Sequence, residues 1–214
     1  TEGKFDGFVG TGDSPCIGAK VKFSGMQIFS MGCDTPEALR EYLSAEHSEK
    51  AFEETRKWWS ERVGKIKVRT GNEKIDRYIN GWAMYQTIAC RLYGRTSVYQ
   101  NGGAFGFRDQ LQDAVCALHT DPNILAQQIL RCCSHQFVEG DVQHWWHPGA
   151  GNNEGTDPGV RTMCSDDYLW LAWAVCRYFG ATGDRTLLDT NVYYIESEKP
   201  DFENPVKYEV PAKS

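Results

Sequence analysis

Nine consecutive apolar residues, Tyr168 to Cys176, follow the polar stretch Ser165-Asp166-Asp167. A helix that is apolar nearly all round belongs at the centre of its fold, because it has no face that water solvates well. Nine residues fall far short of the roughly 18 needed to span a bilayer. No longer apolar run occurs in the chain. The segment therefore reads as a buried helix, capped by Ser165 or Asp166, and the chain must supply other elements to surround it.

From Gly71 onward those elements read as helices. Ile75, Tyr78, Ile79, Trp82, Tyr85, Ala89 and Leu92 recur at three- and four-residue steps. Leu111, Val115 and Leu118 mark a second helix, and Asp121-Pro122 opens a third that carries Ile124, Leu125, Ile129 and Leu130 and ends near Ser134-His135. Thr182-Gly183-Asp184 breaks the apolar helix, and Leu187, Leu188, Val192 and Ile195 begin another. Helices of about a dozen residues with short joins are the pattern of stacked helical hairpins. Gly140 to about Cys164 has no sustained period, and after Glu198 the chain turns polar and Pro-containing, as a loop or tail does.

The N-terminal third differs. In the first 33 residues Lys20-Val21-Lys22-Phe23 alternates, and Met26-Gln27-Ile28-Phe29 follows a Ser-Gly break, so both read as strands. Two or three strands cannot bury a face alone. At Asp34-Thr35-Pro36-Glu37 a helix begins: Thr35 or Asp34 caps it, Pro36 suits its first turn and Glu37 favours its positive end. From there to Arg62 the chain is rich in Ala, Glu, Lys and Arg, the composition of a surface-lying helical connector. Ile66-Lys67-Val68 is a short extended piece, and Thr70-Gly71-Asn72 a turn.

The chain has 214 residues, 23 Lys and Arg against 29 Asp and Glu, and a net charge of −6. That balance argues against a dedicated nucleic-acid or anionic-membrane binder, which would show a basic patch. The eight cysteines include no CxxC pair, and Cys90, Cys116 and Cys176 sit within helical apolar pattern, where a free thiol acts as a small hydrophobe. With no basic, apolar leader at the N-terminus, reduced thiols and a cytoplasmic location are expected.

Three constellations could carry chemistry. In Gly102-Gly103-Ala104-Phe105-Gly106-Phe107-Arg108-Asp109-Gln110-Leu111-Gln112-Asp113, glycines precede a dense polar cluster at a helix start. Arg108 and Asp109 offer the paired donors and acceptors that a neutral polyol needs, with Gln112 and Asp113 one turn on. The alternative is a helix cap with a local ion pair. In Glu139-Gly140-Asp141-Val142-Gln143-His144-Trp145-Trp146-His147-Pro148, aromatic faces suit the C–H face of a sugar ring while His144, Gln143 and Asp141 supply directional hydrogen bonds. Alternatively Trp145 and Trp146 plug a core, or His144 and His147 join a Cys or Asp on zinc; no second ligand pair stands at zinc spacing, so no metal or cofactor is expected. In Gly159-Val160-Arg161-Thr162 and Ser165-Asp166-Asp167, two carboxylates open the apolar helix beside an arginine able to pair with a substrate oxyanion. The first two constellations are expected to line one sugar-sized hollow.

Taken in this order, the segments at Gly102–Asp113, Glu139–Pro148 and Gly159–Asp167 resemble the glycoside phosphorylases of glycoside hydrolase family ninety-four, which holds cellobiose and chitobiose phosphorylases with cyclic β-1,2-glucan synthases as larger relatives. The resemblance covers about Asn72 to Glu196 well and the N-terminal third in outline. It implies a mainly α chain: a partial (α/α)6 toroid over residues 71–214, preceded by a helical linker over 34–70 and, over 1–33, a few strands of a β-sandwich. It also implies inverting phosphorolysis of a β-linked di- or oligosaccharide to a sugar α-1-phosphate, with inorganic phosphate as co-substrate. Phosphate replaces the second carboxylate of a hydrolase, so one protein acid suffices.

That acid lies, in the family, in a Gly-Asp-Trp-Asn-Asp-like motif that this chain does not contain. Arg108, Asp109, Gln112, Asp113, His144, Trp145, Trp146, Arg161, Asp166 and Asp167 are therefore expected to bind sugar and not to transfer the proton. The stretch Gly149 to Pro158 is longer than the family's usual connection, which bears on the acceptor side. An incomplete toroid exposes apolar helix faces, so a homodimer or association with the remaining part of the barrel is expected. Two other readings stand beside this one: an (α/α) hydrolase with Asp113 and Asp166 as its acid and base, and a non-catalytic sugar-binding or assembly module.

Overall fold

The structure, a computed structural model, describes residues 8–9, 17–18, 24–30, 35–94, 103–149 and 156–214. Expectations for Lys20–Phe23, Cys16, Cys33, Asp34, Gln100–Gly102 and the middle of the 149–158 connection lie outside them. Contacts divide the chain into two compact units, Thr1–Trp58 and Trp59–Ser214. Helix accounts for about 51% of the structure beside a small antiparallel sheet, so the chain is mainly α.

In the first unit β1 (Phe8–Val9) pairs antiparallel with β2 (Ile17–Gly18). Met26–Phe29, expected as a strand, is irregular, with Met26 and Phe29 exposed. Gly25 turns the backbone at φ +69°, and among the described residues no edge is offered to those backbone groups, without which a strand does not form. α1 (Pro36–Glu41) starts as expected: the Thr35 hydroxyl accepts from the Ala38 N–H at 3.2 Å, with Pro36 and Glu37 in the first turn. α2 (Ala45–Val63), whose residues from Trp59 on belong to the second unit, is long, polar and without a buried residue, as a surface connector should be.

In the second unit, the Asn72 side chain accepts from the backbone of Lys74 and Ile75 and starts α3 (Glu73–Arg77). Helix continues through a π-helical segment at Tyr78–Trp82, α4 (Ala83–Gln86) and a second π-helical segment at Thr87–Tyr93. The expected helix is thus present, but of its stretch only Ile88 is fully buried. Asn80 reaches back to the extended piece before it: its side chain accepts from the Val68 N–H at 2.6 Å and donates to the Val68 carbonyl at 2.9 Å, replacing a strand partner.

β3 (Phe105–Gly106) leads into α5 (Phe107–Cys116), followed by α6 (Pro122–Cys133), β4 (Gln143–Trp146), β5 (Gly159–Thr162) and α7 (Asp167–Thr182). A 3-10 turn at Thr186–Asp189 precedes β6 (Ile195–Glu196), β7 (Val206–Glu209) and β8 (Ala212–Lys213). α5, α6 and α7 pack on one another. Their shared core comprises Phe107, Leu111 and Ala114 from α5, Leu125, Ile129 and Cys132 from α6, and Leu171, Ala174 and Tyr178 from α7, closed by Val142 and Trp146. The sheet runs β3-β4-β5-β7, antiparallel throughout.

Several expectations are corrected. The aperiodic stretch 140–164 contains β4 and β5; both are short, β5 is largely buried and β4 has a shift in register, so no alternation marks them. The tail contains β7, which pairs with β5 from Gly159↔Glu209 to Thr162↔Val206. In place of a helix over 187–195 there is one 3-10 turn and β6, because Asp189-Thr190-Asn191 interrupts the apolar spacing with residues that compete for backbone hydrogen bonds. α7 is not buried all round among the described residues. α5 and α6 cover its Leu171–Ala174–Tyr178 stripe, while Leu169 is 61% and Trp173 41% exposed. Cys90, Cys116 and Cys176 are exposed rather than core thiols; of the six free cysteines described, only Cys132 is buried. No described helix is long and apolar enough to cross a membrane.

Candidate functional site

The site is built on an irregularity in β4. A regular strand sends successive side chains to opposite faces, yet Gln143 and Trp146 are both buried while His144 and Trp145 between them are half-exposed. The register with β5 explains this. Gln143 pairs with Arg161 and Trp145 with Val160, so His144 is an extra residue and β4 carries a bulge. A bulge turns two consecutive side chains toward one side, which brings His144 and Trp145 to the same cavity wall. Gly159 on β5 makes the close pairing possible: a Cβ there would lie 2.4 Å from the Trp145 carbonyl oxygen and 2.9 Å from the Trp146 Cβ.

The opposite wall comes from the first turn of α5. The Gly106 N–H, free of an intrahelical partner at the helix start, donates to the Gln110 side chain at 3.1 Å. Arg108 donates to Asp166 at 2.8 Å, and its Nε lies 3.7 Å from Asp109. Asp166 stands at the N-cap position of α7 but makes no capping hydrogen bond, so the capping reading does not hold. Its carboxylate instead accepts from the Cys164 thiol at 3.0 Å and from Arg108, which together hold its pKa down at about 2. The same contacts push the Cys164 thiol and the Arg108 guanidinium up.

Asp167, 1% exposed in the first turn of α7, binds His144 Nδ1 at 2.6 Å. That hydrogen bond raises the His144 pKa above its ordinary value. The other Asp167 oxygen is buried without a partner. Gly106, Phe107, Arg108, Asp109, His144, Trp145 and Asp167 thus enclose one cavity of about 70 Å³. Asp109 and His144, from two separate segments, meet there as expected, but the cavity is smaller than the sugar-sized hollow expected.

The remaining expected residues lie elsewhere. Gln112 is half-buried one turn further along α5 and does not line the cavity. Asp113 pairs with Arg91 at 3.1 Å. Trp146 is fully buried, stacked on His135 at 3.8 Å between centroids; it plugs the core, as its alternative reading held. Arg161 is also fully buried. It is bound by Asp141 at 2.6 Å, Glu139 at 3.0 Å and the Ser197 carbonyl at 2.8 Å, and lies over the Phe137 ring. All its donors face protein, so it fastens β5 to the 139–141 turn and is unavailable to a substrate oxyanion.

Cys164 is a cluster member that residue type alone did not single out; its partner Asp166, two positions on, was the available signal. His144, Cys164 and Asp167 place ligand atoms within 4.8 Å of one another. Bonds of about 2.0–2.3 Å to a tetrahedral zinc would need a tighter cluster, and the His144–Asp167 hydrogen bond already satisfies that pair. The cavity's charges are Asp109 and Asp167, with Asp166 at its edge, against Arg108 and a His144 biased toward its protonated form. That mixture suits a neutral polyhydroxylated ring better than an anion.

The family model of the glycosyl hydrolase 94 superfamily catalytic domain matches residues 58–206. The chain is 44% identical over 165 residues to the cyclic beta-(1,2)-glucan synthase NdvB of Rhizobium meliloti (strain 1021), covering 76% of this chain and 6% of that protein. It is 28% identical over 202 residues to the N,N'-diacetylchitobiose phosphorylase of Vibrio proteolyticus, covering 84% of this chain and 25% of that one. With the solabiose phosphorylase of Paenibacillus borealis it shares 30% identity over 131 residues, 61% of this chain and 15% of that protein. The chain thus spans at most a quarter of the length of these relatives.

Proposed function

The chain belongs to the glycosyl hydrolase 94 superfamily, and from that premise we propose that it provides the sugar-binding part of an inverting glycoside phosphorylase. The hollow between α5 and β4 grips the hydroxyl edge of one sugar ring of a β-linked di- or oligosaccharide: Arg108, Asp109 and His144 take its hydroxyls, and Trp145 meets its C–H face at the rim. Asp166 and Asp167 orient Arg108 and His144 from behind. Inorganic phosphate is the co-substrate, and the acid that protonates the departing oxygen is not supplied by this chain. The observation that carries this reading is the convergence of Asp109 and His144 on one cavity with a tryptophan wall.

Both cations of the cavity are already engaged, Arg108 by Asp166 and His144 by Asp167, so it leaves no free cation for phosphate, which docks outside it. The hydrolase reading fares worse. Asp166, ionised down to a pH of about 2, holds no proton to donate near neutrality, and Asp113 is engaged with Arg91.

At the scale of the chain, residues 1–33 belong to a β-sandwich, 34–70 to a linker and 71–214 to the first helices of an (α/α)6 barrel in a cytoplasmic enzyme. The exposed Leu169 and Trp173 face of α7 then meets either the remaining part of the barrel or a second copy. Two assays on the 214-residue chain test the function. Saccharide-dependent quenching of tryptophan fluorescence is expected in the parent chain and absent from Arg108→Ala. Release of free glucose from a β-glucan disaccharide in phosphate-free buffer would contradict the proposal.

A further inference from the structure

The cavity between α5 and β4, at about 70 Å³, falls well below the roughly 300 Å³ at which pockets that engulf a whole small molecule begin. It can grip the hydroxyl edge of a sugar but cannot swallow the ring. Whatever binds must continue across an adjoining surface. One side of that surface is aromatic. Trp145, which lines the cavity, has its ring centroid 5.6 Å from Tyr208 on β7 and 5.2 Å from His147. His147 Nδ1 lies 3.2 Å from the Tyr208 hydroxyl, and Tyr208 is 56% exposed. The sheet sets this cluster: Tyr208 pairs with Val160, and Val160 pairs in turn with Trp145. The two rings therefore stand in one cross-strand row, on either side of Val160.

We infer that Tyr208, with Trp145 and His147, forms a platform for the second ring of a bound saccharide, and that Tyr208 determines a preference for longer chains over monosaccharides. This rests on the sugar-binding reading of the cavity. The occupant is a pyranose because the platform joins a site of hydroxyl-binding groups through a shared tryptophan. It offers the exposed Tyr208 ring, tilted 42° to Trp145, with polar atoms beside it at His147 and the Tyr208 hydroxyl. An aromatic face of this kind takes the C–H face of a sugar while rim groups take its equatorial hydroxyls. An apolar peptide or lipid would gain nothing from the carboxylates a few ångströms away.

Tyr208 is exposed and lies at the edge of the sheet, so replacing it does not threaten the core. The test is calorimetric titration of the 214-residue chain with D-glucose and with β-1,2- and β-1,4-linked glucose disaccharides. Measurements compare the parent chain, Tyr208→Ala, Tyr208→Phe and Arg108→Ala. The parent is expected to bind at least one disaccharide more tightly than glucose. Tyr208→Ala should lower that disaccharide affinity roughly three- to tenfold while leaving glucose unchanged, and Tyr208→Phe, which keeps the ring and loses the rim hydroxyl, should fall between Tyr208→Ala and the parent. Arg108→Ala should abolish binding of both.

If Tyr208→Ala weakens glucose and disaccharide alike, or neither, the platform is overturned while the cavity reading stands on the Arg108 result. If the parent binds glucose and the disaccharides equally, the platform is likewise overturned. If the parent binds none of these sugars, the cavity reading falls and the platform with it.

Discussion

His144 and Asp166 titrate in opposite directions. The short bond to Asp167 makes folded His144 hold its proton more firmly than an unfolded imidazole, whose ordinary pKa is 6.5. The pair therefore stabilises the fold fully below that value, and the contribution is lost as pH rises through the folded pKa. Asp166 behaves the other way: its contacts stabilise the fold above the ordinary carboxylate range and lose that effect as pH falls through about 2. An NMR titration should place the His144 transition above 6.5, and Asp167→Asn should move it back toward 6.5. No movement would mean that the hydrogen bond does not set the protonation of the ring. Arg161 is the residue whose type was informative and whose role was not. Guanidinium beside carboxylates is what both a substrate clamp and a buried brace look like in sequence, and only its complete burial between Glu139, Asp141 and Phe137 decides for the brace. Arg161→Ala leaves Asp141 and Glu139 facing an empty space and should cost about 3 kcal/mol, seen as a lower thermal midpoint. A midpoint within a degree of the parent would contradict this.

At the scale of elements, β4 and β5 depend on Gly159. Alanine there would place a Cβ 2.4 Å from the Trp145 carbonyl oxygen, a backbone atom that cannot swing away. Gly159→Ala should therefore destabilise by about 1–3 kcal/mol and weaken sugar binding too, because the bulge that aims His144 and Trp145 into the cavity is displaced. Destabilisation without any loss of binding would show that the bulge is not what aims those side chains. These strands were the least legible part of the chain. Helices announce themselves through a period sustained over many residues, as α5 and α6 do, and through caps such as Thr35; Asn72, read only as part of a turn, turns out to be another. β4 and β5 are four residues each and neither alternates, β4 burying its two ends and β5 its first three residues, so their pattern is too short and too irregular to stand out. β7 was different: Val206-Lys207-Tyr208-Glu209 does alternate between two prolines, but only its partner β5 makes that alternation a strand. The two sides of the cavity were legible because glycines, paired charges and adjacent aromatics concentrate there. The bulge that joins them is a property of register, which no single segment carries.

For the whole molecule, the exposed Leu169 and Trp173 of α7 beside a core-facing stripe on the same helix predict self-association. Sedimentation velocity should show concentration-dependent species above the monomer for the 214-residue chain, and Leu169→Gln with Trp173→Gln should shift them to monomer. A parent chain that stays monomeric across the accessible concentrations would count against an interface on this face. Sugar binding in the hollow between α5 and β4 is tested by a crystal structure of the chain with a β-linked glucose disaccharide. One ring edge should lie within hydrogen-bonding distance of Arg108 and Asp109, with the C–H face against Trp145. Saccharide bound only elsewhere, along the open side of α7 for instance, with the hollow empty, would contradict it.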